Sequence, residues 1–458
     1  MIPRIPAFVL AIALANLLVP LNSTMIVVAL PLIGRDLGAD RIASAWLITS
    51  YLIVMASLQP IAGRLGDRFG RRRFMLGALG YFIVASVGAA FAPNLVVLIV
   101  FRLQQALAAA AVVPNSLALL RGRAVDGKAG AYFGISGATS SVGAAVGPLL
   151  GGLLAAFDWR LIFLVNLPLA GLALFMAVRS LPAGDPPRRA ARPDIAGAIA
   201  LGVLLSAAAW TLTSATTTTL PPALAVGIGI AIAIGGVVFV RYESGHADAA
   251  LPPRFFAIRG FSAANLTIAL SNLALYGTFL AVPVILAGTG PDATLHAGIA
   301  LSVQAVAMTL LFPVSGALVD RFGARWPTAF GGLLIAVALG ALALLGPGGG
   351  FEAMLVFMPI TGAGVALTFP ATRIAAMDAV PARFAALASG VTSSSRYFGG
   401  IIGALVAGVT LADSRAPQVT TLFGVLALSG LAAALVATQL PARIARPTDA
   451  DAEVSAAG

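Results

Sequence analysis

Apolar residues run along this chain in long blocks, separated at nearly regular intervals by short polar clusters. Each block approaches the ~20 residues an α-helix needs to cross the hydrocarbon core of a bilayer. A hydropathy reading places fourteen blocks, near 6–31, 43–62, 74–91, 94–119, 130–155, 160–179, 195–214, 221–240, 261–287, 296–318, 327–346, 352–372, 387–411 and 419–439. Backbone polar groups find no water in a bilayer, so such blocks must be helices. The pattern predicts an all-α polytopic membrane protein. The first block, in MIPRIPAFVLAIALANLLVPLNST, has the look of a secretory leader. Its apolar run continues through MIVVALP, and we read it as a retained span.

The polar clusters carry most of the charge, and their placement sets the topology. With the N-terminus in the cytoplasm and spans alternating, 22 of the 28 basic residues fall on the cytoplasmic side and four on the other. Two, Arg102 and Arg396, fall within spans. The positive-inside rule therefore predicts an even number of spans and two cytoplasmic termini. The net charge of +11 is then a matter of topology rather than of nucleic-acid binding.

Composition narrows the functional classes. The chain is 59% hydrophobic and 10% charged, against roughly 25% charged in soluble domains. It has no cysteine and two histidines far apart, His246 and His296. Thiolate chemistry and a histidine metal cluster are excluded on this count. No nucleophile with a base stands at membrane depth, so an enzyme is not expected, and no cofactor is called for. The seventeen acidic residues all fall in loops, tails or span ends, whereas proton relays use carboxylates inside the membrane.

Two polar segments return at one offset. GRLGDRFGRR (63–72) is echoed by GALVDRFGAR (316–325), and GATSSVGAAVG (from Gly137) by GVTSSSRYFGG (from Gly390), both 253 residues on. Two matches at one offset indicate a duplicated architecture. The predicted organisation is an N-terminal six-helix bundle (1–180), two inserted helices with linkers (181–258), a C-terminal six-helix bundle (259–440) and a disordered cytoplasmic tail (441–458). The copies lie an even number of spans apart, so the halves are parallel, and a substrate would sit between them near the midplane. At the cytoplasmic edge Gly63, Asp67, Arg68, Gly70 and Arg71, with Gly316, Asp320 and Arg321, are candidate gating contacts. The glycines would let helices approach closely. The aspartates would sit at helix N-termini, where a carboxylate gains roughly 0.3–1 kcal/mol, and the arginines would pair with them across the interface.

Several stretches together resemble the major facilitator superfamily, and within it the fourteen-span drug:proton antiporters of the EmrB/QacA type. They are GRLGDRFGRR, LNSTMIVVALP (21–31), WLITSYLIVMASLQPIAGRLGD (46–67), FRLQQALAAA (101–110), GAAVGPLLGG (143–152), WRLIFLVNLP (159–168) and SGVTSSSRYFGGIIG (389–403). The resemblance implies export of small lipophilic molecules by alternating access, driven by a proton gradient across the cell membrane, with one chain as the working unit. It also implies a chamber lined by spans one, four, nine and twelve. That makes Asn22, Ser23, Thr24, Arg102, Gln105, Asn115, Asn265, Asn272 and Tyr276 cavity candidates. Arg396 faces that chamber or ties helices together. Arg102 binds an anion, perturbs a proton carrier, or serves as a hydrogen-bond hub. Gly143, Gly147, Pro148 and Gly151 resemble the antiporter motif and would let the halves slide or seal. The sequence departs from the family at position 22, where Asn22 replaces the usual aspartate and cannot titrate. An exporter or facilitator of neutral or anionic solutes is therefore the second reading.

Overall fold

A computed structural model describes residues 6–123, 129–181, 194–216, 221–246, 249, 251–287, 290, 292–380, 385–411 and 416–442. The tail beyond 442 and most of the loop at 216–222 lie outside them. The N-terminal portion comprises α1 (Ala7–Asp36), α2 (Arg41–Phe69), α3 (Arg71–Ala90), α4 (Leu95–Arg123), α5 (Ala129–Phe157), α6 (Leu161–Leu164) and α7 (Asn166–Ser180). Then come α8 (Ile195–Thr216) and α9 (Pro222–Gly245), with a short 3-10 turn at Pro253–Ala257. The C-terminal portion comprises α10 (Arg259–Leu286), α11 (Ala293–Phe322), α12 (Arg325–Leu345), α13 (Gly350–Asp378), α14 (Ala385–Thr410) and α15 (Ala416–Ala437).

Ten stretches of the described residues are long and apolar enough to cross a membrane; α12 and α13 count as one of them, and α2 and α8 hold only shorter apolar cores. Several helices overrun the apolar blocks, because charge does not end a helix. α2 and α11 continue through the charged motifs until Gly70 (φ 87°) and Gly323 (φ 74°). A side chain at such a left-handed backbone is disfavoured, which is why glycine recurs at the same place in both copies. The span predicted at 160–179 is present at Leu161–Ser180, its helix interrupted at Val165 between α6 and α7. Pro168 has no N–H to donate to the Leu164 carbonyl, so the ladder is interrupted there.

The helices pack as two similar groups. α1 lies on α5 and α7, α4 on α2 and α3; likewise α10 lies on α14 and α15, and α13 on α11 and α12. The groups meet along two crossings, α2 with α14 and α5 with α11. Under the 253-residue offset each crossing is the image of the other. α8 and α9 pair with each other, and α8 rests on α2 and α14. α9 presents Val226, Ile230, Ile234 and Val237 outward, each more than half exposed, as a lipid-facing helix would.

The core divides by depth. At the end bearing the charged motifs each group has its own cluster, and a small further one joins Ile61 of α2 to Ala198 of α8. The cluster of the N-terminal group comprises Val9, Ile12, Met75, Phe82, Leu120, Tyr132 and their neighbours. That of the C-terminal group centres on Phe261, Val319, Ala371, Ala375 and Val391. At the opposite end one continuous cluster joins both groups, from Met25, Leu47 and Tyr51 to Phe279, Leu301, Phe423 and Leu426. The halves are thus knit together at one end and parted at the motif end, where the described chain also begins and ends.

Candidate functional site

The two charged motifs are turns before they are contacts. Arg72 donates Nε to Leu181 O (2.7 Å) and Nη2 to Val178 O (3.0 Å), tying the start of α3 to the end of α7. Its counterpart Arg325 donates Nε to Leu440 O (2.8 Å), tying α12 to the end of α15. Both bonds satisfy carbonyls that a helix terminus leaves open. The expected glycine contacts need correction. A methyl on Gly63 would make ordinary contact with Pro114, and one on Gly316 would meet none of the described residues within 4 Å. The tight approach is at Gly66, where a side chain would collide with Asn115. Asp67 and Asp320 fall in the last turns of α2 and α11, the carboxylate-disfavouring ends of their own helices rather than N-termini. Their side chains lie outside the described ones. Arg68 and Arg321 are exposed beside the Phe69 and Phe322 rings (5.8 and 5.2 Å), and Arg71 opens α3 half-buried.

In the N-terminal group, most predicted chamber residues are spent on helix packing. Asn22 is 2% exposed and accepts from Asn166 Nδ2 (3.0 Å) on α7. Ser23 and Thr24 bond back to Pro20 O (3.0 and 2.8 Å). Thr24 also abuts Gly147, whose methyl would collide with the threonine hydroxyl. Gly143 and Gly151 likewise lie on the backbone of α1, at Leu17 O and Met25 O. The every-fourth-residue stripe therefore seals α5 to α1 within one half and is not a surface on which halves slide. Pro148 differs: its carbonyl faces Gly298 of α11, and Gly152 lies there too. A second buried network was not foreseen. Asn16 donates to Ser136 Oγ and accepts from Ser116 Oγ (both 2.7 Å), linking α1, α4 and α5. Amides buried in an apolar bundle must find partners, and a polar stripe does not reveal which neighbour supplies them.

Arg102 is a hub. It is 1% exposed, donates Nη1 to Gln105 Oε1 (2.8 Å) and reaches Leu47 O with Nε (3.4 Å). Its guanidinium lies 4.7 Å from the Tyr51 ring centre. Gln105 passes the chain on to Ser86 Oγ (2.8 Å), so α2, α3 and α4 are joined. Asn115 donates to Ala62 O (3.1 Å) and Ala111 O (2.7 Å), fastening α4 to α2. None of these three is presented to a chamber.

The C-terminal group is different. Asn265 and Asn272 are buried and donate to their own helix, at Phe261 O (2.8 Å) and Ile268 O (2.9 Å). Tyr276 lies deep in the bundle yet stays partly accessible, against Gly400 of α14. Arg396 is also partly accessible; its guanidinium sits 4.4 Å from the Tyr397 ring and 5.1 Å from Phe369. It donates Nη2 to Tyr397 Oη (2.6 Å). Tyr51, Tyr276, Tyr397 and Arg396 interact electrostatically across the two halves. Arg373 joins them. The hydropathy reading ended span twelve at 372 and assigned Arg373 to a loop, but α13 continues to Asp378. Arg373 is exposed, within electrostatic reach of Arg396, and donates to Ser389 Oγ (3.1 and 2.8 Å). Tyr276, Arg396 and Arg373 thus each keep part of the side chain accessible, on three helices of the C-terminal group.

The crossings between halves repeat one bond. Ser394 on α14 donates to Ala56 O on α2 (2.8 Å), and Thr309 on α11 donates to Ser141 O on α5 (3.2 Å). Positions 56 and 309, and 141 and 394, are each 253 apart.

Between the paired helices α8 and α9 lie two buried acids that composition placed at span ends. Asp194 is 6% and Glu243 1% exposed. Asp194 Oδ1 accepts from Gly197 N (2.8 Å) and Tyr242 Oη (3.1 Å); Glu243 Oε2 accepts from Leu251 N (2.9 Å). His246 Nε2 lies 3.2 Å from Tyr242 Oη, and His296 stacks on Phe351 (4.3 Å). Among the described residues no cluster of three or more His, Asp or Glu could hold a metal.

A model of the Major Facilitator Superfamily matches residues 12–404 and 264–456. The chain is 32% identical over 405 residues to an MFS-type transporter of Bacillus subtilis (strain 168), covering 88% of this chain and 90% of that one. It is 32% identical over 409 residues to the multidrug resistance protein Stp of Mycobacterium tuberculosis, covering 88% and 75%. Among solved structures, a peptide transporter POT superposes with a TM-score of 0.69 at 18% identity, over 96% of this chain and 95% of that one.

Proposed function

Because the chain belongs to the major facilitator superfamily, and is therefore a multi-pass membrane transporter and not an enzyme, we propose that it is a fourteen-span exporter of the EmrB/QacA type. In this reading it moves small lipophilic molecules out of the cytoplasm by alternating access, as a monomer in the cell membrane with both termini cytoplasmic. The observation that carries the reading is the divided core, one cluster shared by both halves at one end and a separate cluster in each half at the motif end. Rocking about the crossings at Ala56–Ser394 and Ser141–Thr309 would exchange which end is knit. With the motifs cytoplasmic, the present state is open inward. A multidrug resistance relative supports export of drug-like molecules.

Proton exchange belongs to this reading, but position 22 offers it no carboxylate. The side-chain oxygen of Asn22 instead accepts from Asn166, while its Nδ2 is buried without a partner among the described residues. That favours the second reading, export of neutral or anionic solutes without a first-span acid. Proteoliposomes given an imposed pH gradient separate the two. Antiport requires that substrate flux rise with the gradient and that protons move in return. Flux indifferent to the gradient abandons antiport and leaves the second reading.

A further inference from the structure

The C-terminal half holds two positive charges around one ring: Arg396 of α14 lies 5.1 Å from the Phe369 ring of α13, and Arg373 stands one turn further along that helix. Arg396 and Arg373 lie within electrostatic reach of each other. Among the described residues, the one hydrogen bond Arg396 makes is to Tyr397, and Arg373 donates to the neutral Ser389. Ion pairs join Arg160 to Asp36 and Asp158, at the opposite end. Rings lie over the Arg396 guanidinium at Phe369 and Tyr397, which eases its desolvation but leaves the charge in place. Tyr276 adds a third ring nearby. Intramembrane arginines ordinarily pair with an acid or a carbonyl, and two uncompensated ones beside each other raise the cost of both.

The duplication sharpens this. Under the 253 offset, Arg396 stands where the N-terminal half has Gly143, Arg373 where it has Leu120, Tyr276 where it has Ser23 and Tyr397 where it has Ala144. The fold itself does not need these groups, since the sister half is built without them.

We propose that Arg396 and Arg373 bind an acidic group, a carboxylate, sulfonate or phosphate, on a transported molecule whose aromatic part packs against Tyr276, Tyr397 and Phe369. A guanidinium presents a planar fork of donors suited to such oxyanions. The inference rests on the exporter reading and names the class of cargo: organic anions with an aromatic body.

The test compares two probes that share one ring frame. 8-Anilinonaphthalene-1-sulfonate carries an anionic group, and N-phenyl-1-naphthylamine is its neutral counterpart. Both are followed by fluorescence in vesicles of phosphatidylcholine, which supplies no anionic headgroup to compete. The expected result is export of the sulfonate about tenfold faster or more, since a site built for a polar group rejects an analogue lacking it. Arg396→Gln should erase that preference, Arg373→Gln should weaken it, and Arg396→Lys, which keeps the charge, should retain part of it. Equal handling of the two probes by the parent protein overturns the inference, as does an unchanged preference in both glutamine variants. Export of the neutral probe alone sinks the anion site and leaves the exporter standing. Movement of neither probe counts against the exporter reading as well.

Discussion

At the scale of single residues, burial without a charge partner decides what each polar group is for. Arg102 is held by a glutamine, a carbonyl and a tyrosine face, so its charge is tied up in joining three helices. Replacing it leaves Gln105 Oε1 without its donor in an apolar setting. An unsatisfied buried group costs about 1–3 kcal/mol. Arg102→Ala should therefore lower the thermal midpoint of the detergent-solubilised protein, with flux lost because folded protein is lost. An unchanged midpoint with abolished flux would instead return Arg102 to the substrate path. The sequence made Arg102 and Arg396 visible as charges inside spans. It did not separate them, because their fates depend on neighbours from other helices. Asn22 and Thr24 show the same limit: polar positions on one helix were legible, but not that Asn166 and Gly147 would occupy that face.

At the scale of helices, spacing was legible and the choice of neighbour was not. The stripe Gly143, Gly147 and Gly151 announces a smooth face, yet three glycines cannot say whether α1 or the other half lies on it. The helix ends beyond the apolar blocks were missed because hydropathy stops at the first charges, while the backbone stops at Gly70 and Gly323. That is how Arg373 escaped notice. The inserted pair α8–α9 gives an element-scale prediction. Asp194 Oδ2 and Glu243 Oε1 both crowd Gly197 and face each other, with no donor to either from another described residue. Two like charges there repel, whereas a carboxylate and an amide attract. Glu243→Gln keeps an acceptor for Leu251 N and adds a donor toward Asp194, so it should hold or raise the thermal midpoint at neutral pH. Glu243→Ala strands the Leu251 N–H, at a cost of roughly 1–3 kcal/mol, and should lower the midpoint. If the two variants melt alike, the contact has no structural role.

For the whole molecule, the 253-residue offset carried the architecture: two helix groups, two related crossings and matching glycine turns. What it could not carry is state, since a duplicated sequence is compatible with either end being closed. The closed end rests on backbone proximity between α5 and α11. A methyl on Gly298 would lie 2.7 Å from Pro148 O, too near for α11 to remain where it is. Overpacking of this kind costs about 1–3 kcal/mol, enough to shift a two-state equilibrium by roughly 5–150-fold. Gly298→Ala should therefore open this end. The chain has no native cysteine, so spin labels at Phe157→Cys and Asp292→Cys report without background. Their distance distribution should lengthen in the Gly298→Ala protein. A distribution identical to that of the parent would mean that this contact does not hold the halves.

The two crossing bonds have an evolutionary corollary. Ser394 and Thr309 each donate to a main-chain oxygen, at Ala56 and Ser141. Every residue type carries such an oxygen, so the accepting positions are free to drift without weakening the crossing. The donating positions are not, because only a hydroxyl or a similar short polar group can reach across. Homologous chains should accordingly vary at 56 and 141 while keeping serine or threonine at 394 and 309, an asymmetry between partners that a side-chain to side-chain lock would not leave behind.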